Sequence, residues 1–353
     1  MNNLWTITLA NGKQTSVLLA SDLKDLSDHL GSYGRNVLWV FDTNTANLFK
    51  QLPPSNVVLE SGEGNKNMAS LTRILSTALD QGLARDSRII GFGGGVVCDV
   101  ASLAASLYMR GCQLTLVPTT LLCMSDACLG GKTAIDFEGQ KNLIGSFYPA
   151  GEILLCMDTL RTLNENEFIN GLAEVIKHAL LSENTDLYKL LLTHKNKILD
   201  RDPETITKLV SLSLMVKRHF IEEDPTETKG IRQMLNLGHT FGHALECSTH
   251  FTSFSHGQSV AWGTCRAIEA GISLGITDTA FGLGAIKLFK SFGYQIDYKI
   301  GRGDWLSFSQ HLAHDKKKIA GEVLFIIPVK QGEMKLQSLD INLVQKLVIS
   351  RPY

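Results

Sequence analysis

The sequence predicts an α/β domain over residues 1–165, followed by a mainly helical domain over residues 166–353. In the first part, short apolar runs alternate with amphipathic stretches, as strands and helices alternate in a parallel sheet. In the second part, nearly all apolar residues recur at helical spacing. A chain of 353 residues is long enough to bury two such cores.

The first domain begins with two alternating runs around Asn11-Gly12, a pattern typical of a hairpin. Continuous apolar runs bounded by polar turns then predict buried parallel strands. These strands cover residues 36–42, 57–59, 113–117 and 153–156, with another running from residue 88 into a glycine-rich turn. Helices are predicted over residues 23–30, 68–82 and 96–107.

The second domain carries helical periodicity almost throughout. The predicted helices cover residues 172–181, 187–199, 203–222, 232–247, 259–275 and 284–292. Near the end of the chain, the basic run Asp315–Lys318 precedes an apolar strand, Val323–Pro328, which is predicted to form a short hairpin.

Composition excludes several classes of function. Lys and Arg number 34 against 35 Asp and Glu, so the chain lacks the basic excess of a nucleic-acid-binding protein. It has no run of about 18 apolar residues, so we expect no membrane span. The N-terminus lacks the basic and apolar regions of a signal peptide, and none of the seven cysteines has Cys-x-x-Cys spacing. We therefore expect reduced thiols in a cytoplasmic protein.

A glycine-rich turn is the first candidate binding feature. The strand from Arg88 enters Gly93-Gly94-Gly95, and a helix follows. Glycines let a ligand approach the backbone closely, and a helix N-terminus favours negative charge, so a pyrophosphate fits here. The spacing is not the Gly-x-Gly-x-x-Gly dinucleotide pattern, and such turns also occur for packing alone. Asp42, at the end of a predicted strand, fits either a ribose-binding acid or a solvated strand end.

A second glycine-rich stretch, Gly130-Gly131-Lys132-Thr133, resembles part of a nucleoside-triphosphate loop. The upstream glycine which that loop requires is absent, so we reject the interpretation. Lys132 and the pair Lys141-Asn142 remain candidates for anion binding.

Histidines and a carboxylate suggest a metal site. His239 and His243 are four residues apart on a predicted helix and share one face, and His256 follows after a short loop. A catalytic metal usually takes three protein ligands, and Glu174 is the best upstream carboxylate. Histidines at this spacing are also common at helix surfaces. The neighbouring glycines at 238, 242 and 257 favour close approach of a ligand or of another backbone.

Taken together, ordered motifs from residue 36 to about 330 resemble those of the 3-dehydroquinate synthase family. They are Gly62-Glu63-x-x-Lys66, Gly93-Gly-Gly-Val96-x-x-Asp99, Tyr108-Met-Arg110-Gly111, Pro118-Thr-Thr-Leu-Leu122, Asp126-x-x-x-Gly130-Gly-Lys132-Thr, Lys141-Asn142, Gly171-Leu-Ala-Glu174-Val-Ile-Lys177, Arg232-x-x-x-Asn236-x-Gly-His239-Thr-x-Gly-His243, His256-Gly257 and Asp315-Lys316-Lys317.

The resemblance implies a Rossmann-like NAD-binding α/β domain and an all-α domain for metal and substrate, with the active site in the cleft between them. It implies a divalent metal ion, zinc or cobalt, bound by Glu174, His239 and His256, whereas His243 contacts the substrate phosphate. The implied NAD contacts are Asp42, Asn44, Glu63, Lys66, Gly94, Gly95, Val96, Asp99, Thr119, Thr120, Lys132, Lys141, Thr159, Leu160, Arg161 and Thr162.

The implied reaction converts 3-deoxy-D-arabino-heptulosonate 7-phosphate (DAHP) to 3-dehydroquinate and phosphate. NAD takes hydride from a ring carbon, phosphate is eliminated, the hydride returns, the ring opens and an aldol step closes the carbocycle. The phosphate contacts implied are Lys132, Asn142, Lys177, Asn236, His243 and Arg232. The substrate carboxylate and hydroxyls fall to Lys217, Asp126 and Lys316 or Lys317. Arg110 is implied to reach the site of a neighbouring subunit, which makes the enzyme a homodimer.

The chain departs from the family pattern at Cys98, at residues 127–129, at Asp136 and at Gln258. None of these positions is an implied metal ligand or phosphate contact. Three alternatives remain. The chain could be another sugar phosphate cyclase, making 2-epi-5-epi-valiolone or 2-deoxy-scyllo-inosose. It could also be a glycerol dehydrogenase-type metal enzyme or a non-catalytic scaffold.

Overall fold

The computed structural model describes residues 1–9, 12–249, 253–314, 318–319 and 322–349. The chain divides into two compact units, Met1–Phe168 with Lys217–Thr228, and Ile169–Val216 with Lys229–Tyr353. The sequence-based boundary after residue 165 does not allow for the short segment that returns to the first unit.

The first unit contains a seven-stranded sheet and a separate two-stranded hairpin. Its strands are β1 Asn2–Thr8, β2 Gln14–Leu19, β3 Val37–Asp42, β4 Asn56–Leu59, β5 Arg88–Gly93, β6 Gln113–Pro118, β7 Lys132–Phe137, β8 Gln140–Phe147 and β9 Glu152–Leu155. The order in the seven-stranded sheet is β1-β2-β9-β6-β5-β3-β4. The N-terminal hairpin pairs antiparallel, and all other strand pairs of this sheet are parallel. The helices are α1 Leu23–Gly31, α2 Thr43–Ala46, α3 Met68–Asp80 and α4 Gly95–Leu107.

The core of this unit explains why the parallel strands form. Phe41, Ile90, Val117 and Leu154 are buried on neighbouring strands. Each such side chain stabilises the fold by roughly 1.5–3 kcal/mol through burial. Because the strands are parallel, their carboxyl ends meet at one edge of the sheet. The amide of Thr119, after β6, donates to the carbonyl of Gly93 at the end of β5 (2.9 Å).

The β7–β8 hairpin was not predicted from the sequence. Nearly every residue of β8 is exposed, so the apolar alternation that marks a half-buried strand is missing. The hairpin nevertheless brings Lys132 and Asn142, two of the predicted anion contacts, into regular structure.

The second unit is mainly helical but also contains a three-stranded sheet, so the implied all-α description is too strict. Its helices are α5 Glu165–Leu181, α6 Asp186–Thr193, α7 Lys195–Leu199, α8 Pro203–Glu223, α9 His239–Ser248, α10 His256–Ser273, α11 Thr279–Ser291, α12 Trp305–His314 and α13 Ile341–Val348. Its strands are β10 Lys318–Ile319, β11 Glu322–Lys330 and β12 Glu333–Ser338. The first residues of α5 and the last of α8 belong to the first unit.

Two predicted helices are each broken in the structure. The segment 187–199 ends one helix at Thr193 and starts another at Lys195. The segment 232–247 begins as a 3-10 turn, Arg232–Asn236, and Gly238 then takes a left-handed conformation (φ +80°) before α9 starts. Periodicity alone cannot show such a break, because the apolar spacing continues across it. Within the described residues, no helix has the length and apolar character needed to cross a membrane.

Candidate metal centre and nucleotide-binding edge

A fully buried carboxylate lies at the centre of the candidate metal site. Glu174 is on α5, in the interior of the second unit. An isolated buried carboxylate is very costly, so partners are required. Lys177, one helical turn further along, forms an ion pair with Glu174 Oε2. The other oxygen, Oε1, faces two histidines.

The two histidines approach Glu174 from the starts of two different helices. His239 is the first residue of α9, and its Nε2 lies 3.6 Å from Glu174 Oε1. His256 is the first residue of α10, and its Nε2 lies 3.2 Å from the same oxygen. In a tetrahedral zinc site, bond lengths of 2.0–2.2 Å place neighbouring ligand atoms about 3.4 Å apart. Two imidazole nitrogens and one carboxylate oxygen at these distances fit a divalent metal ion.

The electrostatics of the two rings differ. Burial and the nearby Lys177 ammonium hold the pKa of His239 well below its usual value, despite Glu174. The neutral ring can therefore offer a lone pair to a metal ion. Burial also opposes the charged form of His256, but hydrogen bonds to Glu174 and Glu246 outweigh this and raise its pKa to about 10. A metal ion bound at His256 would therefore displace a proton from the ring.

The glycines around the histidines allow helices, not a ligand, to approach. A Cβ on Gly238 would lie 2.7 Å from the carbonyl oxygen of Val260, and one on Gly242 would lie 2.8 Å from that of Ser259. A Cβ on Gly257 would lie 2.0 Å from the carbonyl oxygen of Asn170. Of the two explanations left open by the sequence, the structure supports close approach of another backbone.

His243 is exposed one turn after His239 on α9, and their ring centroids are 5.2 Å apart. It does not belong to the group formed by Glu174, His239 and His256, whose ligand atoms all lie within 4.8 Å of one another. It does belong to a second such group, with Glu246 and His256. Glu246 had no role in the sequence analysis. Its position seven residues after His239, on the same helical face, is the signal that could have identified it.

Other predicted phosphate contacts lie close to this centre. The Lys177 ammonium donates to the carbonyl oxygen of Leu235 (2.5 Å), which ties α5 to the turn containing Arg232 and Asn236. The side chain of Arg232 is buried, and that of Asn236 is partly exposed. The turn that carries Arg232 and Asn236 is therefore bonded to the helix that carries Glu174 and Lys177.

In the first unit, Lys66 connects three of the predicted contacts. Its ammonium lies 2.5 Å from Asp99 Oδ2 and donates to Asn142 Oδ1 at 2.5 Å. Burial raises the pKa of Asp99. Burial also opposes the charge of Lys66, but Asp99 reverses the effect and the pKa of Lys66 is raised. The Asp136 carboxylate accepts a hydrogen bond from the backbone amide of Asn142 (2.8 Å). Asp136, one of the positions that depart from the family pattern, therefore holds a predicted contact residue in place.

The glycine turn lies at the edge where β5 ends. Gly94 caps α4, and a Cβ on Gly95 would meet nothing within 4 Å. The first amides of an α-helix have no acceptors within the helix, so they are available to an anion at this open position. A Cβ on Gly93, by contrast, would lie 2.6 Å from the side chain of Val97, so that glycine is needed for packing.

Asp42 performs a local structural task. Its carboxylate caps α2 by accepting hydrogen bonds from the amide and the hydroxyl of Thr45 (2.7 and 2.8 Å). Thr159 and Leu160 are buried in the turn after β9, so Leu160 contributes its side chain to packing. Most of the remaining predicted NAD contacts are at least partly exposed to solvent, namely Asn44, Glu63, Val96, Thr120, Lys141, Arg161 and Thr162. Thr119 is buried.

The predicted substrate contacts of the first unit are ion-paired. Lys217 lies 2.7 Å from Asp126 Oδ1, and Lys132 pairs with Glu227. Arg110 is exposed and has positive φ, as does Met109 before it. Lys316 and Lys317, with Asp315, lie outside the described residues.

Comparisons with known proteins match both halves of the chain to one family. The family model described as 3-dehydroquinate synthase N-terminal matches residues 56–170, and that described as 3-dehydroquinate synthase C-terminal matches residues 171–318. A 3-dehydroquinate synthase of Francisella tularensis subsp. tularensis is 35% identical over 349 residues, covering 95% of this chain and 96% of the relative. One from Shewanella sp. is 33% identical over 323 residues, covering 89% of each chain.

Solved structures show the same fold at lower identity. A 2-deoxy-scyllo-inosose synthase complexed with carbaglucose-6-phosphate, NAD+ and Co2+ aligns with a TM-score of 0.84 and 22% identity, over 97% of this chain and 98% of that one. A 2-epi-5-epi-valiolone synthase from Streptomyces hygroscopicus subsp. jinggangensis, with NAD+ and Zn2+ bound, gives the same values. Both family models and full-length relatives thus agree with the motifs. The chain therefore belongs to the 3-dehydroquinate synthase family and carries the lyase activity for which the family is named.

Proposed function

We propose that Glu174, His239 and His256 hold the divalent metal ion, zinc or cobalt, with which this chain converts DAHP to 3-dehydroquinate and phosphate. The observation that carries the proposal is the approach of both Nε2 atoms to one carboxylate oxygen, at 3.6 and 3.2 Å. The Lys177 ammonium pairs with the Glu174 carboxylate. Burial holds the pKa of His239 well below its usual value, so its neutral ring can offer a lone pair to the metal ion.

NAD binding is proposed for the sheet edge where β3, β5 and β6 end. Three observations support this proposal: the open space at Gly95, the N-terminus of α4, and the ion pair of the buried Lys66 with Asp99. Of the acids carried over from the family, Asp42 keeps its place in the proposal although it caps α2. When bound, NAD would accept and return hydride, and the metal ion would polarise the hydroxyl that is oxidised.

The chain's own residues would bind and orient the sugar acid phosphate. Arg232, Asn236, His243 and Lys177 supply cationic or amide donors for the phosphate in the second unit, as Lys132 and Asn142 do in the first. Asp126 and Lys217 would hold the substrate hydroxyls and carboxylate. The assignment of Lys316 or Lys317 to that task rests on the family resemblance alone.

We also propose that the enzyme is a homodimer in which Arg110 reaches the neighbouring site. Met109 and Arg110 are consecutive non-glycine residues with positive φ (51° and 64°), and both side chains are exposed. Such backbone conformations are unfavourable and tend to persist where function requires them. A cytoplasmic location is proposed because all seven cysteines are free thiols.

Phosphate release tests the proposed reaction. Purified protein with NAD and zinc is given DAHP, sedoheptulose 7-phosphate or glucose 6-phosphate in parallel. We expect release from DAHP alone, and loss of release on chelation. Release from either of the other sugar phosphates instead would move the enzyme to another sugar phosphate cyclase branch and contradict the carboxylate contacts. Release from DAHP that survives complete metal removal would contradict the metal site.

A further inference from the structure

His256 lies between two buried carboxylates. Its Nε2 is 3.2 Å from Glu174 Oε1, and its Nδ1 is 3.3 Å from Glu246 Oε1. Only 3% of Glu246 is exposed. Burying a second carboxylate beside the first adds a charge that the fold must compensate. The position of Glu246 therefore calls for an explanation beyond packing.

Hydrogen bonds fix the backbone at the start of α10, where His256 lies. Ser255 caps α10 by accepting a hydrogen bond from the Gln258 amide (3.3 Å). Asn170 Oδ1 accepts one from the Gly257 amide at 2.5 Å. Glu246 lies on α9 seven residues after His239, so the helix that carries one proposed metal ligand also carries the partner of the other.

A neutral imidazole carries its single N–H on one nitrogen and offers the lone pair of the other. If Nδ1–H donates to Glu246, Nε2 is left as the acceptor, and that atom faces Glu174. We propose that Glu246 is a positioning residue, which accepts the Nδ1–H hydrogen bond of His256 and so presents Nε2 to the metal ion. Metal-bound histidines commonly donate their other N–H to a carboxylate, which fixes the tautomer and raises the basicity of the ligand nitrogen.

A competing arrangement is present in the same residues. His243, Glu246 and His256 also place ligand atoms within 4.8 Å of one another, so Glu246 could itself be a ligand. The first arrangement is favoured because it uses the two histidines that face one fully buried carboxylate oxygen, whereas His243 is exposed. The inference rests on the proposed metal site. The experiment distinguishes failure of the role of Glu246 from failure of the proposed metal ligands.

The test measures cobalt and zinc affinity and the visible absorption spectrum of the cobalt-loaded protein. The variants are Glu246→Gln, Glu246→Asp, Glu174→Gln and His243→Asn, with the exposed Glu222→Gln as the matched control. We expect Glu246→Gln to weaken metal binding about 10- to 100-fold while the cobalt spectrum keeps its shape, because the ligands are unchanged. Glu246→Asp should recover part of the affinity. Glu174→Gln should abolish tight binding, and His243→Asn and Glu222→Gln should leave it unchanged.

A second readout reports the tautomer directly. The 15N chemical shifts of the His256 ring in the zinc-loaded protein should show a protonated Nδ1, and in Glu246→Gln a weaker or lost Nδ1–H hydrogen bond. A simple packing role for Glu246 would leave these shifts unmoved.

Two outcomes overturn the inference. The first is unchanged metal affinity in Glu246→Gln while Glu174→Gln loses it, which leaves the metal site intact but removes the role of Glu246. The second is loss of binding and a changed cobalt spectrum in both Glu246→Gln and His243→Asn, with binding retained in Glu174→Gln. That result would place the metal on the other group and would also overturn the proposed ligand set.

Discussion

The Lys177 ammonium and the Glu174 carboxylate form an ion pair in the interior of the second unit, one turn apart on α5. Neither side chain is more than 2% exposed. The pair has two consequences. The ammonium compensates the carboxylate, and it adds to the effect of burial in lowering the pKa of the neighbouring His239. Lys177 thus supports the proposed metal site directly, in addition to its proposed contact with phosphate.

Replacing Lys177 with Met should destabilise the metal-free protein, because Glu174 loses its compensating charge. We expect the free energy of unfolding to fall by up to about 3–5 kcal/mol. Saturating zinc should reduce the loss of stability relative to the wild type, since the metal ion compensates the same carboxylate. Thermal or denaturant unfolding with and without zinc measures both values.

The control is Lys189→Met, which replaces an exposed lysine on α6. It should change the free energy of unfolding neither with nor without zinc. Turnover of Lys177→Met should be lost while NAD affinity stays nearly unchanged, since Lys177 lies in the second unit. An equal loss of stability with and without zinc would show that Lys177 acts by packing, and a large loss of NAD binding would show that it is misassigned.

Replacing Gly95 with Ala should separate NAD binding from stability. The added Cβ meets nothing within 4 Å, and the backbone does not have positive φ. The free energy of unfolding should therefore change by no more than about 0.5 kcal/mol. NAD affinity should fall about tenfold or more, because the methyl group occupies the approach to the backbone. Fluorescence titration with NADH measures the affinity. Gly31→Ala, which also adds a methyl group in open space, should leave it unchanged. Wild-type affinity in Gly95→Ala would remove the glycine turn from the proposed NAD site.

Replacing Gly263 with Ala should force α9 and α10 apart. The new Cβ would lie 2.1 Å from the carbonyl oxygen of Gly238, immediately before His239, and backbone there cannot move freely. Overpacking of this kind costs about 1–3 kcal/mol or more, and metal affinity should fall with it.

The matched control is Gly284→Ala on α11, where the nearest atom to the new Cβ is 3.4 Å away. That change should leave metal affinity intact and stabilise the helix by up to about 1 kcal/mol. Calorimetric unfolding and zinc titration of both variants check the pair. If Gly263→Ala binds zinc like the wild type, the close packing of α9 and α10 does not set the ligand geometry.

Two inactive variants should restore one active site between them if the enzyme is the proposed homodimer. His256→Ala should lose metal and turnover, since one of three protein ligands is removed. Arg110→Ala should be inactive because it cannot complete the neighbouring site. In a co-expressed mixed dimer, the Arg110→Ala subunit keeps its metal ligands and receives Arg110 from its partner. Random pairing should then give roughly a quarter of the wild-type rate.

The same variants purified separately and assayed alone are the control. No recovery in mixed dimers whose composition is verified by mass spectrometry would show that Arg110 acts in its own subunit. A monomeric protein by light scattering would contradict the homodimer itself.

Much of the fold could be predicted because its signals are local. The run ending at Asp42 is apolar throughout, as a strand buried on both faces must be, and it forms β3. The break at Gly238 could not be predicted, because it depends on α10 approaching the turn. The β7–β8 hairpin was missed for the opposite reason, since β8 is exposed and leaves no apolar pattern.

The candidate site divides in the same way. Spacing alone suggested His239, His243 and His256, and it placed His243 with the metal. The structure instead groups Glu174 with His239 and His256. The resemblance implied that Asp42 contacts NAD, which stays a prediction, and the structure shows that its carboxylate also caps α2. The pairing of Lys132 with Glu227 joins residues far apart in sequence, and no local pattern encodes it.

The short segment Lys217–Thr228 limits where the gene for this protein can be divided or recombined. It belongs to the first unit although it follows nearly fifty residues of the second, and it supplies Lys217 to Asp126 and Glu227 to Lys132. A gene cut after residue 168 would therefore encode a front half that lacks two of its own ion pairs. A single crossover at that point would combine Asp126 and Lys132 of one parent with the residues at positions 217 and 227 of the other. Exchange between relatives is therefore expected to preserve these ion pairs only where the parents match at all four positions.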